Sequence, residues 1–234
     1  MSIEERVAAL DWKRIEQELH DRGWALTGIL LTRDECRAAI RAYDRDELYR
    51  STVVMARHGF GRGEYRYFAN PLPTLIGGLR RSLYEPLVAI ANCWRKGLGQ
   101  GGSLPRDHAE YLKQCHAAGQ SKPTPLILRY GPGDHNCLHQ DVYGEISFPL
   151  QAAFLLSHSG DFEGGEFVLT EQRPRMQSRV QVVPIATGEA VLFAVNHRPT
   201  TGSRGTYRVT MRHGVSPIRS GSRHALGIIF HDAA

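Results

Sequence analysis

Two textures divide the chain, and the change falls near residue 125. Before it, apolar residues recur every three or four positions, as on one face of a helix. Residues 3–20 carry Val7, Leu10, Ile15 and Leu19 at this spacing among charged side chains, and Gly23 stands where a helix would stop. Residues 24–31 form a short apolar run that predicts a strand. Thr32 with Glu35 three residues on is a capping-box signal, which predicts a second helix through about residue 48. Residues 59–68 read GFGRGEYRYF, a surface loop or hairpin whose glycines permit sharp bends. Residues 72–98 predict a long helix closed by a glycine-rich break, and 105–118 another that ends at Gly119.

After Pro125 the pattern becomes short apolar runs between turn residues, at 126–130, 138–143, 152–157, 166–169, 180–184, 190–195, 206–216 and 223–231. Such a density of strands suits a double-stranded β-helix, or jelly roll. The expected fold is therefore mainly β with flanking helices (α+β). The expected organisation is one domain over 1–234, in which 1–124 gives helical support with a candidate substrate flap and 125–234 forms the jelly-roll core.

Composition narrows the setting only a little. A chain of 234 residues, 41% hydrophobic and 23% charged, is long enough to bury one sizeable core. The N-terminus shows no basic-then-apolar leader and no apolar run approaches the ~18 residues of a membrane span, so a cytoplasmic protein with no membrane partner is expected. Cys36, Cys93, Cys115 and Cys137 contain no C-x-x-C pair, which argues against a zinc ribbon and for reduced thiols. The formal net charge of +5 is compatible with a polyanionic partner without requiring one. No protein partner can be named.

The chemistry is concentrated in His139-Gln140-Asp141, followed by His213 and then by Arg223. Two histidines and one carboxylate fill one face of an octahedron around Fe(II) and leave the other face for a co-substrate and dioxygen. In a strand, positions i and i+2 point the same way, so His139 and Asp141 converge. His213, near the middle of the 206–216 run, is the best placed third ligand. A turn at 219–221 would set His213 opposite Gly227 in an antiparallel hairpin, with His213 and Arg223 on one side and roughly 10–13 Å apart. A five-carbon dicarboxylate fits that gap, its keto-acid end on iron and its far carboxylate in the guanidinium fork of Arg223.

The remaining histidines suit the site less well. His231 lies near the far end of its strand, His224 points to the face opposite Arg223, and His135, His158 and His197 fall in turns or at strand ends. Cys137 reads as packing. Arg62, Tyr65, Arg66 and Tyr67 form either a substrate-facing flap, with aromatics stacking on a base and arginines meeting phosphate, or a solvated hairpin with two packed tyrosines. Arg173, Arg175 and Arg179 form either a basic loop for a polyanion or an exposed turn.

LILRYGPGDHNCLHQD, DFEGGEFVL and GEAVLF together resemble motifs of the Fe(II)- and 2-oxoglutarate-dependent dioxygenases, in the form found in the prolyl 4-hydroxylase-like group, from Leu126 to the C-terminus. The whole chain, including RYGPGDHNCLHQDVYGE, is similar to a bacterial family of this superfamily described as oxidatively demethylating damaged nucleic acid. The resemblance implies Fe(II), with 2-oxoglutarate and O2 as co-substrates, and places Tyr130 near the co-substrate. It also implies DNA repair by hydroxylation of a C–H bond, with alkylated nucleic-acid bases as partner. Two departures stand out: Ile229 replaces the second arginine of the AlkB type, and Asn136 stands where prolyl hydroxylases often have tyrosine. A prolyl-hydroxylase-like oxygenase acting on a protein side chain or free amino acid, and a non-catalytic cupin-type binding module, remain as alternatives.

Overall fold

Side-chain caps decide where the first helices begin. In the computed structural model, which describes residues 1–203 and 205–234, Ser2 and Glu5 close a capping box on α1 (Ile3–Ala8). Asp11 accepts from Arg14 N and opens α2 (Trp12–Arg22), which ends at Gly23. The single helix expected over 3–20 is thus two, because an N-cap takes its own backbone out of the helix. The predicted capping box of Thr32 and Glu35 does start α3 (Arg33–Ala42). That helix stops short of residue 48, since the chain passes through a 3₁₀ turn, Asp46–Leu48, into a strand. The other helices are α4 (Thr74–Gly97) and α5 (His108–Ala117). Among the described residues no helix is long and apolar enough to cross a membrane.

The strands are β1 (Trp24–Ile29), β2 (Tyr49–Val54), β3 (Gly61–Arg62), β4 (Glu64–Phe68), β5 (Leu126–Tyr130), β6 (His135–His139), β7 (Leu150–Leu155) and β8 (Phe162–Gly164). They continue as β9 (Phe167–Gln172), β10 (Arg179–Val183), β11 (Glu189–Ala194), β12 (His197–Gly202), β13 (Gly205–Val215), β14 (Ile218–Gly221) and β15 (Arg223–Ile228). One sheet has the order β1-β11-β7-β15-β5-β4-β2. The second runs β10-β9-β13-β6-β3, with β12 added against β13, and β14 pairs with β8 alone. This is a double-stranded β-helix with flanking helices. β2, β8, β12 and β14 lie outside the runs predicted from the sequence pattern, and β3 and β4 fall in the segment read as a loop or hairpin. β2 and β4 extend the first sheet where a helix end and a surface loop were expected, and β12 carries Pro199, which an outer strand tolerates because its N–H side needs no partner.

Alternation divides each strand of the first sheet between two environments. On β15, Leu226 and Ile228 join Leu79, Leu83, Leu87 and Trp94 of α4 in the main core, whereas Arg223, Ala225 and Gly227 face a cavity between the sheets. The same core buries two histidines, His108 and His231. Burial first, and the charge of Arg80 second, pull both down to about 4. An unfolded histidine titrates near 6.5, so as pH falls the unfolded chain takes up these protons before the folded one does. Stability is then full above about pH 6.5 and declines toward pH 4, by about 3 kcal/mol per histidine at the far end of that window. Urea midpoints should be clearly lower at pH 5 than at pH 7, and equal midpoints would contradict the burial of these two rings.

Candidate active site

β6 and β13 lie side by side, and their register sets His139 directly opposite His213. His139 is the last residue of β6 and Asp141 lies beyond it, so the expected strand over 138–143 is corrected to one that ends at His139. Asp141 turns inward because Gln140 reaches across to Met211 O (2.8 Å), which fixes the chain as it leaves the sheet. Asp141 Oδ1 is 3.4 Å from His139 Nε2 and Oδ2 is 3.3 Å from His213 Nε2. Adjacent ligands of an ion held at 2.0–2.2 Å stand about 3 Å apart, so this spacing fits a bound divalent metal. His139 Nδ1 meets Cys137 O at 2.7 Å, leaving Nε2 as the lone-pair nitrogen that faces the cluster. Burial works to raise the Asp141 carboxyl, yet hydrogen bonds and charge from His139 and His213 hold it well below the usual range. Burial, followed by the charge of His139, pushes the His213 imidazole below its ordinary value, toward the neutral form that a metal ligand requires.

The expected hairpin between His213 and Arg223 is not formed. β13 belongs to the second sheet and β15 to the first, and β14 makes the crossing by pairing with β8. His213 stands opposite His139 and Leu169, and Arg223 opposite Tyr130. Gly227 faces Leu126 and Ala153 rather than His213. Arg223 nevertheless enters the same cavity as the histidines, because barrel closure brings the sheets together. The glycine pair at residues 164–165 makes room for this. Gly164 and Gly165 have φ of +78 and +65, and a Cβ on Gly165 would lie 2.8 Å from Arg223 Cδ.

Arg223 is 3% exposed, and its Nε and Nη1 have no partner. The hydroxyl of the neighbouring Tyr130 is likewise buried and unpaired. An uncompensated buried guanidinium is costly, and a carboxylate from a small ligand would supply both the missing charge and the missing acceptors. The cavity measures about 310 Å³, enough for a dicarboxylate and a further group. Phe167 and Phe193 wall it behind His213, with ring centroids 6.0 and 4.7 Å from the imidazole.

Tyr143 is a site residue that sequence reasoning missed, although it follows Asp141 by two positions. Its hydroxyl donates to Asp141 Oδ1 at 2.5 Å, and burial followed by the Asp141 charge pushes the phenol far above its ordinary value. The phenol therefore stays a donor and orients the carboxylate. Tyr143→Phe should weaken Fe(II) or Mn(II) affinity about tenfold to a hundredfold, read by metal titration, with little change in Tm. Unchanged affinity would make the hydroxyl a packing feature only.

The four flap candidates separate. Tyr65 lines the cavity, and Tyr67 is buried beneath the guanidinium of Arg50, 4.3 Å from its ring centre. Arg66 is bound to Tyr43 O (3.0 Å) and Asp46 (2.6 Å) and does not line the cavity. Arg62 is exposed on β3, opposite His135. The segment belongs to both sheets rather than forming a free loop, because β3 pairs with β6 and β4 with β2 and β5. Cys137, read as packing, is exposed and lines the cavity with Phe60 and Leu138. Arg173 is tied to Glu171 at 2.6 Å, while Arg175 and Arg179 are exposed.

A family model described as "Oxygenase, catalysing oxidative methylation of damaged DNA" matches residues 63–233. Two uncharacterized proteins of Mycobacterium tuberculosis, from strains CDC 1551 / Oshkosh and ATCC 25618 / H37Rv, are each 47% identical over 168 residues, covering 71% of this chain and 72% of theirs. The fold is similar to that of an oxidoreductase of the 2OG-Fe(II) oxygenase family from Burkholderia pseudomallei (16% identity, TM-score 0.58, 95% of this chain and 93% of that one). It is also similar to a Pseudomonas putida prolyl-4-hydroxylase (15%, TM-score 0.53, 95% and 99%). A Trichoplax adhaerens prolyl hydroxylase, in complex with a hypoxia inducible factor peptide fragment, matches as well (12%, TM-score 0.55, 97% and 90%). At such identities the structural likeness speaks for the double-stranded β-helix, whereas the sequence match spans most of the chain, and the protein is therefore an enzyme belonging to that oxygenase family.

Proposed function

We propose that this enzyme is an Fe(II)- and 2-oxoglutarate-dependent dioxygenase of the cytoplasm that removes N-methyl groups from alkylated nucleic-acid bases, a DNA-repair activity. The observation that carries the cofactor reading is the unpartnered, buried Arg223 and Tyr130 in the cavity that also holds the His139–Asp141–His213 cluster. The three ligand atoms lie within 4.8 Å of one another and would hold iron on one face. Bound there, iron with 2-oxoglutarate supplies reductive activation of dioxygen, in which 2-oxoglutarate is oxidised to succinate and CO2 and one oxygen atom enters a substrate C–H bond.

The chain's own residues position and shield. Arg223 binds the far carboxylate of 2-oxoglutarate, and Tyr130 donates to the same ligand. Phe167 and Phe193 keep water from the His213 side. Tyr143 holds the Asp141 carboxylate in one orientation. Hydroxylation of an N-methyl group gives N–CH2OH, which breaks its C–N bond to release formaldehyde and leaves N–H on the base. Oxidation at that carbon removes a methyl group; it does not install one. Tyr65 inside the cavity and Phe60 at its mouth offer ring faces for a base, and a duplex substrate would require base flipping.

The test is to incubate the protein with Fe(II), 2-oxoglutarate and single-stranded oligonucleotides carrying N-methylated adenine or cytosine. Formaldehyde and succinate should appear in equal amounts. The fold likeness to prolyl hydroxylases supports a second reading, in which the same site oxidises a protein side chain or free amino acid. A peptide or amino acid that gains one oxygen, with no formaldehyde from any oligonucleotide, would move the activity there.

A further inference from the structure

β7 turns Gln151 into the cavity. The residue is 4% exposed, and its Oε1 has no hydrogen-bond partner. A primary amide left in this state has lost water without gaining a replacement, so it is a group waiting for a ligand.

Register says which ligand. β7 pairs with β15 through Ala153↔Gly227 and Ala152↔Ile228, which places Gln151 level with Ile229. That is six residues along the strand from Arg223, about 20 Å at ~3.3 Å per residue. A five-carbon dicarboxylate anchored on Arg223 spans four C–C bonds of about 1.5 Å, roughly 5 Å between its carboxyl carbons. Its other end is expected at the metal cluster, but its carboxylates and keto group only accept hydrogen bonds and cannot satisfy Oε1, which is left to the other occupant of the cavity. The opposite neighbour agrees: Gln151 is paired with Phe193, whose ring is 4.7 Å from that of His213, so the amide lies at the metal-cluster end. Near it, Leu126 and the phenol rings of Tyr65 and Tyr143 line the cavity and pack with Ile229.

The geometry points to Gln151 as the residue that reads the hydrogen-bonding edge of the substrate base, its Oε1 accepting from an exocyclic amine. This rests on the nucleobase reading above and deepens it. Adenine and cytosine carry an exocyclic amine that remains a donor after methylation of the adjacent ring nitrogen, and that amine matches the unpaired Oε1. N-methylated thymine carries only carbonyl acceptors on that edge and would leave Oε1 unpaired. The enzyme should therefore favour N-methylated cytosine over N-methylated thymine, because a site with a buried hydrogen-bonding group rejects a ligand that cannot satisfy it.

Formaldehyde release is measured from two single-stranded oligonucleotides, one with N-methylated cytosine and one with N-methylated thymine, for the wild type, Gln151→Leu and Gln151→Glu. Affinity for the cytosine oligonucleotide is read in parallel with Mn(II) and N-oxalylglycine, which permit binding without turnover. Gln151→Leu should lower both kcat/KM and affinity on the cytosine substrate by about a hundredfold and leave the thymine substrate unchanged. Gln151→Glu keeps the acceptor and should keep the preference. Affinity for N-oxalylglycine and Tm report whether either variant has lost its fold or its co-substrate site, and both should stay at wild-type values. Equal effects of Gln151→Leu on the two substrates, or none, would overturn the assignment while the nucleobase reading stands. A wild type that releases formaldehyde from neither oligonucleotide would overturn both.

Discussion

Asp141→Ala is expected to abolish iron-dependent formation of succinate and to lower Fe(II) affinity by well over a hundredfold. The carboxylate is buried between two imidazoles, and it is the one anion in that ligand set. Without it, two neutral nitrogens face a divalent cation in a cavity of aromatic and aliphatic walls. Loss of a residue that merely orients a ligand costs ten- to a hundredfold in metal affinity, and loss of the ligand itself, with its charge, costs more. Asp141→Asn separates the two contributions, since it keeps an oxygen and drops the charge, and it should fall between wild type and alanine. The rise in Tm on adding Mn(II), which reports binding to the folded state alone, should vanish in the alanine variant. Retained Mn(II) affinity in Asp141→Ala would remove this carboxylate from the site and leave the cluster as a buried hydrogen-bonded trio.

The cluster of His139, Asp141 and His213 was legible in the sequence, and the framework that joins its members was not. His139 and Asp141 could be paired from their spacing, and β5 and the start of β15 lie at the predicted positions, because alternation between core and cavity is a local property of a strand. Which sheet a strand joins is not local. β13 and β15 are separated by the seven residues 216–222, a span that suits a hairpin, yet β14 pairs with β8 and carries the chain to the other sheet. That choice depends on glycines at 164, 165 and 221, where a Cβ on Gly221 would strike Asp161 O at 2.0 Å. Tyr143 went unread for a similar reason. Its approach to Asp141 follows from a loop that Gln120 clamps, with Nε2 bonded to Ile146 O (2.9 Å) and Asp232 O (2.7 Å) and Oε1 receiving Ile146 N (2.8 Å). Those partners lie far along the chain from residue 120, and no short-range pattern announces them. The aromatic-basic run at 64–68 left two readings open, and the strand divides them residue by residue, since it sends alternate residues to opposite faces and so sends Tyr65 to the cavity and Arg66 to Asp46.

Arg223→Leu should raise the Kd for 2-oxoglutarate by about a hundredfold or more while leaving Mn(II) affinity near wild type. Truncating one member of a buried, hydrogen-bonded charge pair costs about 2–5 kcal/mol, most of it from the partner left without its counter-charge. Here the partner is the ligand's far carboxylate, and Tyr130 alone does not neutralise it. The free protein should behave differently. Before any ligand binds, Arg223 is itself a buried charge with two nitrogens unpaired, and burial alone works to lower its pKa. Replacing such a group with an apolar side chain of similar length is neutral or stabilising. The variant should therefore unfold at a Tm equal to or above that of the free wild type, yet gain nothing from 2-oxoglutarate, whereas the wild type should gain several degrees. Arg223→Lys keeps the charge and loses the planar fork, and its 2-oxoglutarate affinity should fall about tenfold. A free Arg223→Leu protein that is strongly destabilised, with 2-oxoglutarate affinity intact, would instead make the guanidinium a strut between the two sheets at the β14 crossing, and the co-substrate would then need another anchor.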